Sequence, residues 1–183
     1  MVAAVYAGAL AAALFASGSA STPGLSVEAL GQFVPPAAFA SSHAYASSHA
    51  VTYNQSLVPE GAWIRVRQHT ERSGATTVLM RVVGVKPGHA FGVHVHQKAC
   101  GADPAAAGSH YQDKVGMDAD HVNAQNEVWL DFQSDSRGSG TATAQHEWTF
   151  RKGEAASVVI HSEPGTKGSR VACFTVPFGG NSS

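Results

Sequence analysis

Charged residues are scarce in this sequence, and the two signs nearly cancel. Only 14% of the 183 residues are charged, and 12 Lys and Arg against 13 Asp and Glu leave a formal net charge of -1. A chain with so little net charge has no overall field that would attract nucleic acid or an anionic membrane, so we predict that it binds neither. Any attraction of a charged substrate must come from a local group of side chains.

Basic residues are absent before Arg65, and small or apolar residues dominate there. Residues 2–16 form an apolar run that is too short for a stable membrane span and is followed by small residues, as at a secretory cleavage site. We predict that residues 1–20 are a secretion signal and that the protein is exported, to the periplasm, the cell envelope or outside the cell. The missing basic start leaves a disordered Ala-rich tail as the alternative.

Residues 21–59 have no helical or strand periodicity and are rich in Ala, Ser, Pro and Gly, which predicts a flexible linker. The linker contains the near-repeat SSHAYASSHA over residues 41–50. We interpret its His43 and His49 as incidental members of a low-complexity tether, although exposed histidines could also catch a soft metal ion.

Long amphipathic helical patterns are missing as well, and short alternating patterns take their place from Trp63 onward. Apolar residues recur at every second position in short runs separated by turns, which is typical of half-buried antiparallel strands. About seven such strands indicate an all-β sandwich or barrel, which we predict for residues 60–178, with residues 179–183 as a tail. Residues 101–125 interrupt the pattern with a long polar loop, and such loops commonly carry function.

Cysteine occurs only twice, at Cys100 and Cys173. In an exported chain two cysteines are expected to form a disulfide, which would stabilise the fold by about 4 kcal/mol in the chain-entropy model. Two unpaired buried thiols, or a cysteine metal ligand, are the alternatives that the residues leave open.

Histidine, in contrast, is abundant, with ten in the chain. His94 and His96 alternate with apolar residues, so both rings leave one face of a predicted strand about 7 Å apart. His110 lies in the long loop, and His161 ends the apolar run 158–160. A set of nitrogen donors suits copper or zinc better than calcium or magnesium.

The motifs HVHQ, GSHY, VIH and GSRVAC occur in this order and, together with the two cysteines, resemble the copper/zinc superoxide dismutase family over residues 61–178. The closing GSRVAC is the most specific, because it places an arginine and a cysteine three residues apart, as in the family. The resemblance implies an eight-stranded antiparallel Greek-key β-barrel, related to Ig-like sandwiches, with one disulfide. It also implies an enzyme that converts superoxide to oxygen and hydrogen peroxide while copper cycles between Cu(II) and Cu(I).

The resemblance assigns a role to each motif residue. It implies that four histidines bind copper: His94, His96, His110 and His161. It implies a disulfide between Cys100 and Cys173, and it makes Arg170 the residue that receives superoxide beside copper, since a guanidinium keeps its charge at every working pH. His110 matches the family histidine that releases copper on reduction and takes up a proton, so His110 and Arg170 are the predicted catalytic residues.

Relative to that family, the sequence lacks zinc ligands. Zinc-bearing members use two further histidines and an aspartate from the loop after the residue matched by His110, whereas this chain offers only His121, with Ala124 where the aspartate would lie. Because a structural zinc site needs four protein donors, we predict that zinc is absent, as in the copper-only branch. The short segment 162–169, where zinc-bearing members have a long charged loop, agrees with that branch and predicts a copper more open to solvent.

Without zinc, His110 needs another partner for its second ring nitrogen, because metal-bound imidazoles normally donate that N–H to a carboxylate or carbonyl. The candidates nearby in the sequence are Asp118, Asp120 and Glu127. Three other histidines belong to no motif and are predicted to be structural or surface residues: His69, His89 and His146.

Two other functions stay open at this point. A non-catalytic copper-binding or copper-delivery protein could retain the barrel and the histidines, although ligand exchange needs no anion site such as Arg170. A cupin-type metal enzyme shares the spacing from Gly88 to His94 and His96, but the cupin glutamate is missing and GSRVAC is left unexplained. The sequence leaves the oligomeric state open, with a monomer preferred.

Overall fold

The computed structural model describes residues 24–41 and 50–180. Within them the regular structure is mostly β-strand, and no helix is long and apolar enough to cross a membrane. The strands are β1 (Leu25–Val34), β2 (Ala50–Thr52), β3 (Trp63–Thr70), β4 (Thr76–Val83), β5 (Ala90–His96), β6 (Phe132–Gln133), β7 (Ser139–His146), β8 (Ser157–His161) and β9 (Arg170–Thr175). The helical elements are α1 (Pro36–Ser41) and two 3₁₀ segments, Pro104–Ala107 and Phe178–Gly180.

The strands form one mixed sheet that curves into a nearly closed barrel, in the order β6-β5-β8-β9-β2-β1-β3-β4-β7. Neighbouring strands are antiparallel, except that β1 and β2 run parallel. The chain crosses from β4 to β5 on the other wall, returns to pair β7 with β4, and crosses again to pair β8 with β5. The predicted all-β barrel with one disulfide is confirmed, with nine strands in the described residues rather than eight.

Alternating side chains build the core, as the sequence predicts for β3 and β4. Ile64 and Val66 in β3, and Val78, Met80 and Val82 in β4, are fully buried, while their neighbours in the chain face outward. Burying an aliphatic side chain of this size contributes about 1.5–3 kcal/mol relative to leaving it exposed. The wall formed by β3 and β4 therefore contributes its inward face to the core.

The first strand corrects the linker prediction. Residues 25–32 of β1 pair antiparallel with β3, residues 33–34 pair with β2, and β2 pairs with β9, although β1 and β2 both lie in the predicted linker. Phe33 is fully buried, and Gly31 lies where a Cβ atom would come within 2.5 Å of the Phe174 ring. The barrel thus begins at β1 and not at residue 60. The secretion signal predicted for residues 1–20 lies outside the described residues, as do residues 21–23 and 42–49.

The strands β5, β8 and β9 form the wall that positions the candidate site. In the register of the sheet, Gly92 of β5 lies opposite His161 of β8, and His161 lies opposite Arg170 of β9. The long segment between β5 and β6 runs along the free edge of β5, where Tyr111 N–H donates to Val95 O at 2.8 Å. This segment brings its own side chains onto the histidine face of β5.

Candidate metal centre

Four histidines from three parts of the chain come together on this wall. His94 and His96 lie on β5, His161 ends β8, and His110 comes from the irregular segment after β5. Each offers one ring nitrogen, and these four atoms lie within 4.8 Å of one another. These are the four histidines to which the sequence motifs point, and we call them the four-histidine group.

The histidine face of β5 is more enclosed than the alternating pattern predicts. His94, His96 and His161 are at most 4% exposed, and only the His110 side chain, at 18%, reaches solvent appreciably. The ring of His94 packs against His110 at a centroid distance of 4.2 Å and against Trp129 at 5.2 Å. Rings from the long segment therefore cover a face that the sequence suggests is half-buried.

Hydrogen bonds fix the orientation of three of the four rings. The Nδ1 atom of His96 lies 3.0 Å from Gly108 O, and that of His161 lies 3.0 Å from Gly168 O. A carbonyl oxygen only accepts, so both Nδ1 atoms carry the proton, and the Nε2 atoms hold free lone pairs in the neutral rings. These two Nε2 atoms face each other at 3.4 Å.

A buried carboxylate orients the third ring. The Nδ1–H of His110 donates to Glu127 Oε2 at 2.7 Å, which turns the His110 Nε2 atom toward the other histidines. Glu127 is 1% exposed and also accepts hydrogen bonds from Gln112 Nε2 and Trp129 Nε1. Burial raises the pKa of the Glu127 carboxyl, but the donors His110, Gln112 and Trp129 outweigh burial and hold the pKa below its usual value. Glu127 is therefore charged and holds His110 in one orientation.

The fourth ring has no hydrogen-bond partner among residues 24–41 and 50–180. Both ring nitrogens of His94 are buried without a hydrogen bond, and Nε2 lies 3.4 Å from Asp131 Oδ1, within ion-pair distance but outside hydrogen-bond geometry. A buried polar atom without a partner costs about 1–3 kcal/mol. The imidazole that lacks a partner lies among inward-facing lone pairs, which is the environment that a bound cation would complete.

The electrostatics of the group also suit a cation. Burial lowers the pKa of His96 to about 2 and that of His161 to about 4, and burial also lowers the pKa of His94 despite the nearby Asp131. These rings are neutral near pH 7, so their lone pairs are free to bind a metal ion. Imidazole nitrogen is a borderline-soft donor that suits copper and zinc. The residues present therefore fit such an ion.

The three acids proposed as partners of His110 are now distinguished. Glu127 contacts the His110 ring, whereas Asp118 accepts from His121 Nδ1 at 2.6 Å on the surface, and the Asp120 N–H bonds to Asp118. His121, the possible zinc ligand, lies outside the four-histidine group. In the described part of the chain, no second group of three or more histidine, cysteine or acidic residues has metal-site geometry.

Arg170 begins β9 beside the group. Its Nη1 donates to Pro104 O at 2.8 Å, and its Nη2 donates to Gly108 O at 2.6 Å. Gly108 O is also the carbonyl that accepts from His96. The guanidinium lines an open cavity of about 660 Å³, together with Ser109 and Ser169. A permanent positive charge thus faces solvent next to the histidines.

The disulfide joins Cys100, just after β5, to Cys173 in β9, across 73 residues of sequence. The Cys100 N–H donates to Thr175 Oγ1, and the Tyr53 hydroxyl donates to Gly101 O at 2.8 Å. These contacts fix the start of the long segment to the wall that carries Arg170. A disulfide is typical of proteins that fold in an oxidising, exported compartment.

Two residues that contact the group were not singled out from the sequence. Asp131 approaches His94 and accepts N–H donors from Val93 and Gly165 at 2.8 Å each, and Trp129 packs on His94 while donating to Glu127. The signal was an alternation: positions 127, 129 and 131 alternate with the buried residues 128, 130 and 132. That pattern places the side chains of Glu127, Trp129 and Asp131 on the face away from the core.

The other histidines lie outside the group. The His69 ring contacts Ser26, the His89 Nε2 lies 2.9 Å from Ser162 O, and His146 stacks on Trp148. These contacts agree with structural or surface roles. His43 and His49 lie outside the described residues.

The fold and the site together define an all-β barrel with one disulfide and four histidines that can hold a metal ion. The chain matches no protein-family model and no curated protein. Among solved structures it is similar to the clock protein EA4, with 18% identity over 64% of this chain and 87% of that chain and a TM-score of 0.47. It is also similar to a double mutant of a SOD-like protein from Bacillus subtilis, with 16% identity over 63% of this chain and 88% of that chain and a TM-score of 0.47.

Proposed function

We propose that this protein is a superoxide dismutase that works with one copper ion and without zinc. The observation that carries the proposal is the four-histidine group, in which three rings turn Nε2 inward and His94 lacks hydrogen-bond partners. The order of motifs that resembles the superoxide dismutases, with Arg170 in GSRVAC, supports the same function. His94, His96, His110 and His161 would bind copper.

Copper bound at this group would supply the one-electron exchange that converts one superoxide to oxygen and the next, with two protons from solvent, to hydrogen peroxide. The chain's own residues would do the rest. Arg170 would attract the anion, because its guanidinium lines an open cavity and is held there by the carbonyls of Pro104 and Gly108. His110 is the ligand nearest to solvent, and Glu127 holds the proton on its Nδ1 atom, so that Nε2 stays directed at the group.

Two contacts support a site without zinc. His121 is bonded to Asp118 on the surface, away from the four-histidine group, and Glu127 occupies the Nδ1 side of His110, where the family's zinc would bind. The resemblance to the copper-only branch, with its short segment 162–169, supports the same reading. Metal analysis after incubation with equal copper and zinc should show one copper and no zinc that survives gel filtration.

We also propose that the protein is exported. The disulfide favours an oxidising compartment, and residues 1–20 are proposed to be a secretion signal. The proposed substrate is superoxide, and a monomer is the proposed oligomeric state.

The decisive experiment follows superoxide decay by stopped flow. Protein loaded with copper alone, and freed of excess metal, is compared with His161→Ala and with His69→Ala, a matched histidine outside the group. We expect fast catalytic decay in the parent and in His69→Ala, and its loss in His161→Ala. Stoichiometric copper binding without faster decay in the parent would instead support the copper-binding or copper-delivery function.

A further inference from the structure

Arg151, in the connection between β7 and β8, holds each of the three residues that follow His110. Its Nη2 donates to Gln112 O at 2.9 Å, and its Nη1 donates to Asp113 O at 2.6 Å. Its backbone N–H donates to the Tyr111 hydroxyl at 2.9 Å, and its guanidinium carbon lies 4.9 Å from the centre of the Tyr111 ring. A single residue thus fastens the segment after His110 to another part of the barrel.

His110 depends on such contacts more than the other three histidines do. His94, His96 and His161 lie on β5 and β8, where regular ladder hydrogen bonds fix the backbone. His110 lies between β5 and β6, in a segment whose pairing with β5 consists of isolated bridges. Two backbone hydrogen bonds flank His110, from Gln97 N–H to Ser109 O at 3.0 Å and from Tyr111 N–H to Val95 O at 2.8 Å. The contacts of Arg151 hold the chain that follows, where no regular strand pairing does so.

A second route leads from Arg151 to the ring of His110. Arg151 holds the backbone of Gln112, and the Gln112 side chain donates to Glu127 Oε1 at 2.9 Å. The other oxygen of Glu127 accepts the His110 Nδ1–H. Moving Gln112 would therefore disturb His110 through its backbone neighbour Tyr111 and through the carboxylate that orients its ring.

The chemistry of this contact requires arginine. The planar guanidinium presents a fork of donors that reaches two carbonyls at once, while its Nε donates to Glu154 Oε2 at 2.7 Å, which balances the charge. Hydrogen bonds from a charged donor are stronger than neutral ones. Lysine keeps the charge but cannot reach both carbonyls with the same geometry.

We propose that Arg151 is the positioning residue that sets the location of His110 in the four-histidine group. It acts through Tyr111, Gln112 and Glu127 and does not touch the reacting atoms. In a chain proposed to lack zinc, the contacts of Arg151 hold the segment that follows His110 in place. The inference rests on the proposed function only in assuming that the group binds copper.

The test compares Arg151→Ala, Arg151→Lys and the control Arg137→Ala, an arginine in the exposed turn before β7. The readouts are the Cu(II) EPR spectrum, copper affinity from competition with a chelator, and NMR of the histidine rings in the metal-free protein. In Arg151→Ala we expect the His110 ring signals to shift and broaden most, while those of His69 and His89, which lie outside the group, stay. We expect copper affinity to fall about tenfold. Arg151→Lys should recover part of the copper affinity and part of the parent's His110 signals. Arg137→Ala should match the parent in both readouts.

Parent-like EPR, affinity and His110 signals in Arg151→Ala would overturn the proposal, and so would equal shifts of all histidine signals, which mark a general loss of structure. If Arg151→Ala does not fold, Arg151→Lys decides by the same readouts, and parent-like values there overturn the proposal. If the parent binds copper but does not dismutate superoxide, the proposed function fails while these readouts still decide the role of Arg151.

Discussion

The Nε2 atoms of His96 and His161 face each other at 3.4 Å, on the side of the barrel wall away from the core. Each Nδ1 donates to a backbone carbonyl, of Gly108 and Gly168 respectively, so each Nε2 carries a lone pair and no proton. Two lone pairs directed at each other across a buried gap repel unless a cation lies between them. The fold thus maintains an arrangement that is unfavourable by itself and that a metal ion would relieve.

Copper should therefore stabilise the folded protein. At a free copper concentration about a thousand times its Kd, binding to the folded state alone adds about 4 kcal/mol to the free energy of unfolding. Urea unfolding followed by circular dichroism, with and without copper, measures this gain, and a chelator should reverse it.

The control is the double variant His96→Phe, His161→Phe. It should show no comparable gain with copper, because both inward-facing Nε2 atoms are removed. The phenylalanines also remove the donors to Gly108 O and Gly168 O, so each protein is compared with its own metal-free form. An equal effect of copper on both proteins would contradict this account of the group.

Glu127→Gln should weaken copper binding without unfolding the protein. Glutamine keeps the shape and can still accept from His110, but it lacks the charge that strengthens this hydrogen bond. Losing such a partner of a metal-bound histidine typically lowers metal affinity by about 10–100-fold. Competition with a chelator measures the change, and Asp120→Asn, an exposed acid not bonded to His110, is the matched control. Equal affinities in the parent and in Glu127→Gln would refute the assigned role.

Much of the barrel and of the site could be predicted from the sequence, because alternation and motif order are strong signals. The runs in β3 and β4 alternate large aliphatic and polar residues, so their core faces were evident. The four histidines lie in motifs that resemble a known family, so their grouping was expected before their geometry was known. The choice of Glu127 over Asp118 and Asp120 was not predictable, because it depends on how the long segment folds back along β5.

The first strand was missed for a different reason. β1 shows no clear apolar alternation, because the small Ala29 and Gly31 lie on its inward face while Leu30, on the other face, is 60% exposed. Gly31 is small because the Phe174 ring lies against it, a constraint imposed by tertiary packing and not visible locally. A strand whose burial depends on a partner far along the chain gives a weak periodic signal.

Truncation distinguishes a linker from a strand. A chain beginning at Gly24 keeps β1 and should unfold cooperatively with parent-like stability. A chain beginning at Glu60 loses β1, β2 and the buried side chains Phe33, Ala50 and Val51, and it exposes the edges of β3 and β9. We expect it to aggregate or to lack cooperative unfolding, because exposed strand edges pair with other chains. Cooperative unfolding of the shorter chain by circular dichroism would restore the linker interpretation.

Replacing Arg170 should slow superoxide decay more than it weakens copper binding. Its guanidinium faces an open cavity beside the group, and losing one charge-assisted contact of about 1.5–3 kcal/mol would lower the rate about 10–100-fold. Arg170→Lys retains the charge but not the fork to Pro104 O and Gly108 O, so its rate should lie between those of the parent and Arg170→Ala. The rate of the parent should also fall as salt screens the attraction, and Arg170→Ala should respond less. Stopped-flow decay at several ionic strengths, with Arg137→Ala as the control, measures both effects, and a parent-like rate and salt dependence in Arg170→Ala would exclude this arginine as the anion receptor.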